Sequence, residues 1–282
     1  MKYIQLVPLL FIICSCADEN PQTQTTEVVT TSESKEVVKP EFQAFIDSAK
    51  VAGAILIYDP QQKVYYSNDF NWAKQGQLPA STFKIPNSII GLETGVVKND
   101  STLFKWDGKK RYLSVWERDM IFRDAFHLSC VPCYQEIARN IGTQRMKEYV
   151  KKFDYGNVVV DSATIDQFWL EGNSKISPFQ QIAFLQRFYT SKLSISERTY
   201  QIMKRLMVMD KNDAYQLSGK TGWSIVDGHN NGWFVGYMEQ GDQVYYFATN
   251  VEPLADMNMD DFPGARKVVT MKGLEVVLGN GE

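Results

Sequence analysis

Apolar positions along the chain change their spacing twice. Ala52 to Tyr58 is a nearly continuous apolar run of strand length. The turn Asp59-Pro60-Gln61-Gln62 separates it from Lys63-Val64-Tyr65-Tyr66, a pattern that predicts a hairpin. Just before it, Phe42, Phe45 and Ile46 among polar neighbours predict a short amphipathic helix. From Ser81 to about Arg205 the spacing turns helical, over Ile85 to Glu93, Val131 to Ile141, Met146 to Phe153, Phe179 to Tyr189 and Glu197 to Leu206. Strand patterns then return at Ala214 to Gly219, Asn231 to Glu239 and Gln243 to Asn250, the last two joined by the turn Gln240-Gly241-Asp242. A final helix is expected over Gly264 to Leu278. This order predicts an α+β fold: an antiparallel sheet from both chain ends, flanked by helices, with a mostly helical inserted subdomain. The folded domain is read as 41–282, its sheet subdomain about 41–80 and 207–282 and its helical subdomain about 81–206.

Residues 1–16 have the pattern of a targeting segment. Lys2 supplies charge, Leu6 to Ile13 is apolar but too short to span a bilayer, and Ile13-Cys14-Ser15-Cys16 follows. A small residue before Cys16 resembles a bacterial lipoprotein signal with Cys16 as the lipidated position, and ordinary secretory cleavage is the alternative. Both place the mature chain outside the cytoplasm, in the periplasm, with lipidated Cys16 as a membrane anchor in the first case. Residues 17–40 are rich in Thr, Ser, Glu and Gln without aromatic or helical periodicity, which predicts a flexible tether.

Composition narrows the function. The 282 residues carry a formal net charge of −3 with mixed signs, which argues against a nucleic-acid partner. Two histidines and four cysteines without zinc-type spacing make a metal centre an unlikely expectation, and none is expected.

Four fragments carry candidate chemistry. In Ser81-Thr82-Phe83-Lys84 the spacing puts a hydroxyl and an amine within reach on one helical turn. Ser32-Glu33-Ser34-Lys35 has the same spacing by chance. At Ser81, however, Leu78, Ile85, Ile89 and Ile90 build an apolar surround. That matters because a free lysine near pKa ~10.4 is about one part in a thousand neutral at physiological pH, whereas burial lowers the value by as much as 3–5 units. Ser129-Cys130-Val131-Pro132 opens a helix, where a serine serves as a cap, as a proton carrier, or as both. Tyr155-Gly156-Asn157 is a tight turn. Lys220-Thr221-Gly222 on a strand offers an ammonium and a hydroxyl to an anionic ligand, and Gly222 lets it approach closely.

Longer stretches give these fragments a context: Leu78-Pro79-Ala80-Ser81-Thr82-Phe83-Lys84-Ile85-Pro86-Asn87, Lys105-Trp106-Asp107-Gly108, Trp116-Glu117-Arg118-Asp119, Lys152-Phe153-Asp154-Tyr155-Gly156-Asn157, Phe168-Trp169-Leu170-Glu171-Gly172 and Trp233-Phe234-Val235-Gly236. From about residue 42 onward the chain resembles the class D serine β-lactamases, the oxacillinases. The resemblance implies the serine β-lactamase/transpeptidase-like fold and hydrolysis of β-lactam antibiotics, hence resistance, through acylation of Ser81 and deacylation by water. It implies Ser81 as nucleophile, Lys84 as general base in its N-carboxylated form, Trp169 as holder of that carbamate and Ser129 as proton carrier. It further implies an oxyanion hole from the backbone N–H groups of Ser81 and Trp223, an apolar lid from Val131 and Leu170, and a carboxylate site from Lys220, Thr221, Gly222 and Arg266. No cofactor is implied beyond the carbon dioxide or bicarbonate that carboxylates Lys84. The expected partners are small β-lactams, with the membrane met only through the lipid anchor.

Cys130-Val131-Pro132-Cys133 departs from this pattern. A Cys-x-x-Cys at a helix start suits a disulfide in an exported protein, but it lacks a thioredoxin-like context, so inert buried thiols are the default expectation. His127 and His229 match no motif, and Trp106 and Trp116 are expected in the core. A β-lactam sensor domain and a cell-wall D,D-peptidase are the rival readings of the serine set.

Overall fold

The computed structural model describes Met1 and residues 34–279. The signal segment 1–16, Cys16 included, and the tether as far as residue 33 lie outside the described residues. The chain enters the fold through β1 (Lys35–Val38) and α1 (Pro40–Ser48), then forms the hairpin β2 (Val51–Asp59) and β3 (Val64–Ser67) and the short α2 (Phe70–Lys74). A 3₁₀ turn, Ala80–Phe83, runs directly into α3 (Lys84–Glu93). A small ribbon, β4 (Leu103–Phe104) with β5 (Met120–Ile121), leads to α4 (Phe122–His127). Four further helices follow: α5 (Val131–Ile141), α6 (Thr143–Lys152), α7 (Pro178–Tyr189) and α8 (Glu197–Leu206). The chain then returns to the sheet as β6 (Val208–Lys211), β7 (Gln216–Val226), β8 (His229–Gln240) and β9 (Gln243–Pro253), and ends in α9 (Phe262–Val277).

The seven strands are ordered β1-β3-β2-β9-β8-β7-β6, so the two chain ends meet where β2 pairs with β9. Every pairing is antiparallel except β1 with β3, which is parallel. The continuous apolar run of β2 is explained by burial on both faces. Ile55 and Ile57 join Phe42, Phe247, Val269 and Leu274 under α1 and α9, whereas Leu56 and Tyr58 join Val235, Tyr237 and Ala248 on the side of the inserted helices. A strand buried on both faces has no reason to alternate polar and apolar residues. Helix α3 is the corresponding case among helices: every residue except the last is buried, so it runs through the core of the helical part.

Three local expectations change. Lys35–Val38 forms an edge strand rather than tether: its side chains are mostly exposed, and main-chain pairing with Val64–Ser67 holds it, which composition does not register. Strand β7 continues through Lys220-Thr221-Gly222 to Val226, and the short β6 precedes it. Trp106 is 38% exposed and donates its indole N–H to the Lys109 carbonyl, so it is a surface residue; Trp116 is half-buried.

Trp233 ties the sheet to the Ser81 turn. Its ring is fully buried and its Nε1 donates to the Leu78 carbonyl at 2.9 Å. Trp233→Phe removes this donor and leaves a buried carbonyl unpaired, which costs about 1–3 kcal/mol. Urea unfolding should show that loss as a lower midpoint with an unchanged slope; an unchanged midpoint would show that the bond does not anchor the turn.

Candidate active site

Ser81 sits in the second position of the 3₁₀ turn and Lys84 begins α3, so three residues bring the two side chains onto one face. Lys84 Nζ lies 2.9 Å from Ser81 Oγ. Lys84 is 1% exposed and Ser81 9% exposed. The ammonium position lies over the Tyr134 ring, 5.1 Å from its centroid. Burial, and then the positive charge of Lys220, holds the Lys84 amine well below the usual lysine range. Burial thus shifts the amine beside Ser81 toward its neutral form.

The backbone before Ser81 is strained: Ala80 has φ of 49°, in the left-handed region that an alanine rarely adopts. The turn is braced from outside. Thr82 Oγ1 donates to the Pro79 carbonyl at 2.6 Å and accepts from Gln181 Nε2 at 2.8 Å, and Tyr155 OH donates to Gln181 Oε1 at 3.2 Å. The Tyr155-Gly156-Asn157 turn thus acts through a buried polar chain and touches no cavity wall at the serine. Thr82 and Gln181 were not singled out by sequence, since a buried threonine and glutamine carry no pattern.

A cavity of about 440 Å³ opens over Ser81 and is lined by Ser129, Val131, Thr221, Gly222, Trp223 and Arg266 together with apolar side chains that include Tyr112, Leu113 and Ile225. Tyr112, Leu113 and Ile225 are exposed large apolar residues. Their exposure, not their spacing, marks them as a contact surface. Ser129 also has positive φ, 56°, so both serines of the cavity follow or occupy a left-handed residue. Gly222 lies against the nucleophile turn: an added Cβ would meet the Ser81 amide nitrogen and the Pro79 carbonyl at 3.2 Å. Here the glycine is required by close approach.

Arg266 is buried at the cavity end. Its guanidinium donates to the Gly222 carbonyl and to the Pro263 carbonyl, and burial lowers its pKa to about 10, so it stays charged at neutral pH. Lys220 does not line the cavity: it donates to the Thr221 carbonyl at 3.1 Å and lies over the Phe126 ring. Burial, then the charges of Arg266 and Lys267, brings it down to about 7. Trp169 and Leu170 lie in the neighbouring loop and also stay off the cavity wall. Trp169 is fully buried, stacks on Phe83 with ring centroids 5.7 Å apart, and its Nε1 is a buried donor without a partner.

Cys130 and Cys133 are joined by a disulfide, which replaces the expected free thiols. Cys130 caps α5, and Cys-x-x-Cys across a helix start brings the two sulfurs together. His127, at the end of α4, and His229, at the start of β8, are both exposed. Among the described residues no group of acids, histidines and cysteines has the arrangement of a metal site.

The model of the penicillin-binding-protein transpeptidase domain matches residues 46–264. β-Lactamase OXA-10 of Pseudomonas aeruginosa is 45% identical over 205 residues, covering 72% of this chain and 77% of that protein. β-Lactamase OXA-48 of Klebsiella pneumoniae is 40% identical over 234 residues, 83% and 86% of the two chains. The crystal structure of the class D β-lactamase from Sebaldella termitidis superposes with a TM-score of 0.82 at 38% identity, covering 88% of this chain and 99% of that one. The chain is a class D serine β-lactamase. The enzyme hydrolyses β-lactams, with the fold of that family.

The lysines of this β-lactamase give its stability a pH dependence of definite sign. The unfolded chain keeps a proton on Lys220 up to about pH 10.4, whereas the folded protein releases it at about 7. The unfolded state therefore binds more protons, and stability rises with pH above about 7 and until the unfolded lysine itself titrates. One such group contributes up to about 1.4 kcal/mol per pH unit. In carbon-dioxide-free buffer the unfolding free energy of the wild type should climb more steeply between about pH 7 and 9 than that of Lys220→Met. Equal slopes would mean that Lys220 keeps its proton in the fold.

Proposed function

We propose that hydrolysis proceeds through an acyl-enzyme on Ser81, with N-carboxylated Lys84 as the base for both half-reactions. The observation that carries this reading is a buried amine, held well below the usual lysine range, 2.9 Å from Ser81 Oγ. Ser81 Oγ attacks the lactam carbonyl and loses its proton to the Lys84 side chain. The carbonyl oxygen gathers negative charge toward the backbone N–H groups of Ser81 and Trp223. The carbon–nitrogen bond of the ring breaks, and the ring nitrogen takes a proton by way of Ser129. Water then attacks the ester carbonyl, the bond to Ser81 Oγ breaks, and the proton returns to the serine. The substrate carboxylate is held by Thr221 and Arg266, Lys220 adding its field from beneath, and Gly222 keeps the approach open. Val131 closes over Ser81 from the start of α5, with Leu170 on the neighbouring loop.

The Lys84 side chain fits carboxylation. A neutral amine is the form that reacts with carbon dioxide, and the unpartnered Trp169 Nε1 is a buried donor suited to a carbamate oxygen. Once formed, the carbamate supplies an anionic oxygen base where the free amine supplies a nitrogen one.

Ser81→Ala should abolish turnover of nitrocefin and covalent labelling by a fluorescent penicillin; a mass-spectrometric adduct on another residue would end the assignment. Wild-type enzyme degassed at low pH should lose activity and regain it with bicarbonate, and protein supplied with ¹³C-carbonate should show a carbamate resonance. In Trp169→Ala, acylation should persist while deacylation slows, since a hydrogen bond to a charged partner is worth about 1.5–3 kcal/mol. Indifference to bicarbonate, without a resonance, would leave Lys84 as a free amine.

The enzyme is exported to the periplasm and held at the membrane by lipidated Cys16 in this reading. Among the described residues no helix is long and apolar enough to cross a membrane. Growth with a radiolabelled fatty acid should label the wild type, and Cys16→Ala should lose the label and leave the membrane fraction. Wild-type protein found unlabelled in the soluble fraction would mean simple signal cleavage.

A further inference from the structure

The Cys130–Cys133 disulfide stands between two cavities. Both cysteines line a second cavity of about 300 Å³. Ser129 and Val131, the residues on either side of Cys130, line the substrate cavity instead. Trp116 borders both. The second cavity is cationic: five lysine and arginine side chains, among them Arg118 and Arg139, line it against Asp107 and Glu136. At its inner side Cys130 is the N-cap of α5, its Sγ accepting from the Cys133 backbone N–H at 3.2 Å. A helix N-terminus favours a thiolate over a thiol, so Cys130 sulfur at the N-cap is placed as a good leaving group. Cys133 is the more accessible of the two, 8% exposed against 1%.

We infer that Cys130–Cys133 is a reversible thiol–disulfide exchange site, opened from the cationic cavity, whose state sets the geometry of Ser129 and Val131 and with it the acylation rate. The effect on rate rests on the role of Ser129 proposed above. In the exchange, a thiolate of a small dithiol attacks Cys133 Sγ, the Sγ–Sγ bond breaks, and Cys130 leaves as a thiolate that keeps its bond from the Cys133 N–H. The second thiolate of the dithiol attacks the mixed disulfide, Cys133 sulfur leaves, and a cyclic disulfide departs. Two electrons pass from the dithiol to the cysteine pair, and the dithiol's two protons go to the released sulfurs or to solvent.

Reduction acts on the site in two ways. The left-handed Ser129 is held by two main-chain bonds at the end of α4, Ser129 N–H to Phe126 at 3.2 Å and Cys130 N–H to Ala125 at 2.9 Å, and by the covalent closure of the first turn of α5. Opening the disulfide removes the covalent part of this support. It also places a negative charge at Cys130, one residue from the wall of a cavity that receives an anionic substrate. Both changes oppose acylation.

The full-chain protein is titrated with dithiothreitol, portions are alkylated and peptide-mapped, and nitrocefin acylation is followed by stopped flow, with near-ultraviolet circular dichroism recorded on the same samples. The acylation rate should fall by roughly three- to tenfold in step with double alkylation at Cys130 and Cys133. It should recover with oxidised dithiothreitol, at constant circular dichroism. Cys130→Ser/Cys133→Ser should show the lowered rate and ignore reductant; should it not fold, the wild-type titration decides alone. A doubly alkylated, folded enzyme with its rate unchanged overturns the inference, as does folded protein that excess dithiol leaves unalkylated. The Ser81 adduct is measured on the oxidised sample in the same series: its absence counts against the acyl-enzyme reading, whereas an adduct formed at a redox-indifferent rate counts against the exchange site alone.

Discussion

Burying the Lys84 amine is the constraint on which the rest of the structure depends. An ammonium taken out of water without a carboxylate partner is costly enough that the group gives up its proton instead. Among the described residues no carboxylate is paired with Lys84, a second lysine adds like charge, and the Tyr134 ring lies against it. The burial goes with the course of α3 through the core, where its polar residues Asn87 and Ser88 are buried along with its apolar ones. Around the Ser81 turn, Trp233 ties the sheet to the Leu78 carbonyl and Trp169 stacks on Phe83.

A neutral amine is useful only if the hydroxyl stays beside it, and the backbone around the cavity is built for that. Left-handed conformations at Ala80 and Ser129 each cost on the order of 1–3 kcal/mol and persist only where the surroundings over-determine them. At Ala80 the surroundings are the Thr82–Gln181–Tyr155 chain and the close approach of Gly222. At Ser129 they are the α4 end and the disulfide. Rigidity at both serines fixes the geometry of the cavity wall before any ligand arrives, which is where positioning lowers a barrier most.

Legibility in the sequence followed from what kind of interaction made each element. The hairpin, the helices α3 and α5 to α8 and the strands β8 and β9 are made by burial, and their apolar spacing announced them; the six-residue α4 was too short to show a period. The edge strand at Lys35–Val38 and the short β6 are made by main-chain pairing with little burial, so a polar composition hid them. The Ser81–Lys84 contact followed from helical spacing alone. The cavity's union of Ser129, Thr221 and Arg266 did not, because residues so far apart in sequence meet only through the sheet register and the crossing of α9, and their family resemblance indicated them instead. Trp106 misled because an aromatic ring in a polar stretch is read as core unless its neighbours show otherwise. Cys130 and Cys133 could be read either way until the helix start placed their sulfurs together.

The three basic groups at the site form a graded series that burial and mutual repulsion create together. Arg266, whose guanidinium spreads its charge and resists deprotonation, stays protonated at the cavity end. Lys220, one layer further in, sits near the midpoint of its titration at neutral pH. Lys84, beneath Ser81, is held well below the usual lysine range, by burial first and by the charge of Lys220 second. Positive charge is thus kept at the cavity end and depleted beside Ser81. Exchange of Arg266 for a lysine would weaken this order, because a lysine in the same burial loses its proton far more readily than an arginine does. Arginine at the mouth and lysines within therefore let one small cluster keep a charged guanidinium at the cavity end while the amine beside Ser81 is shifted toward its neutral form.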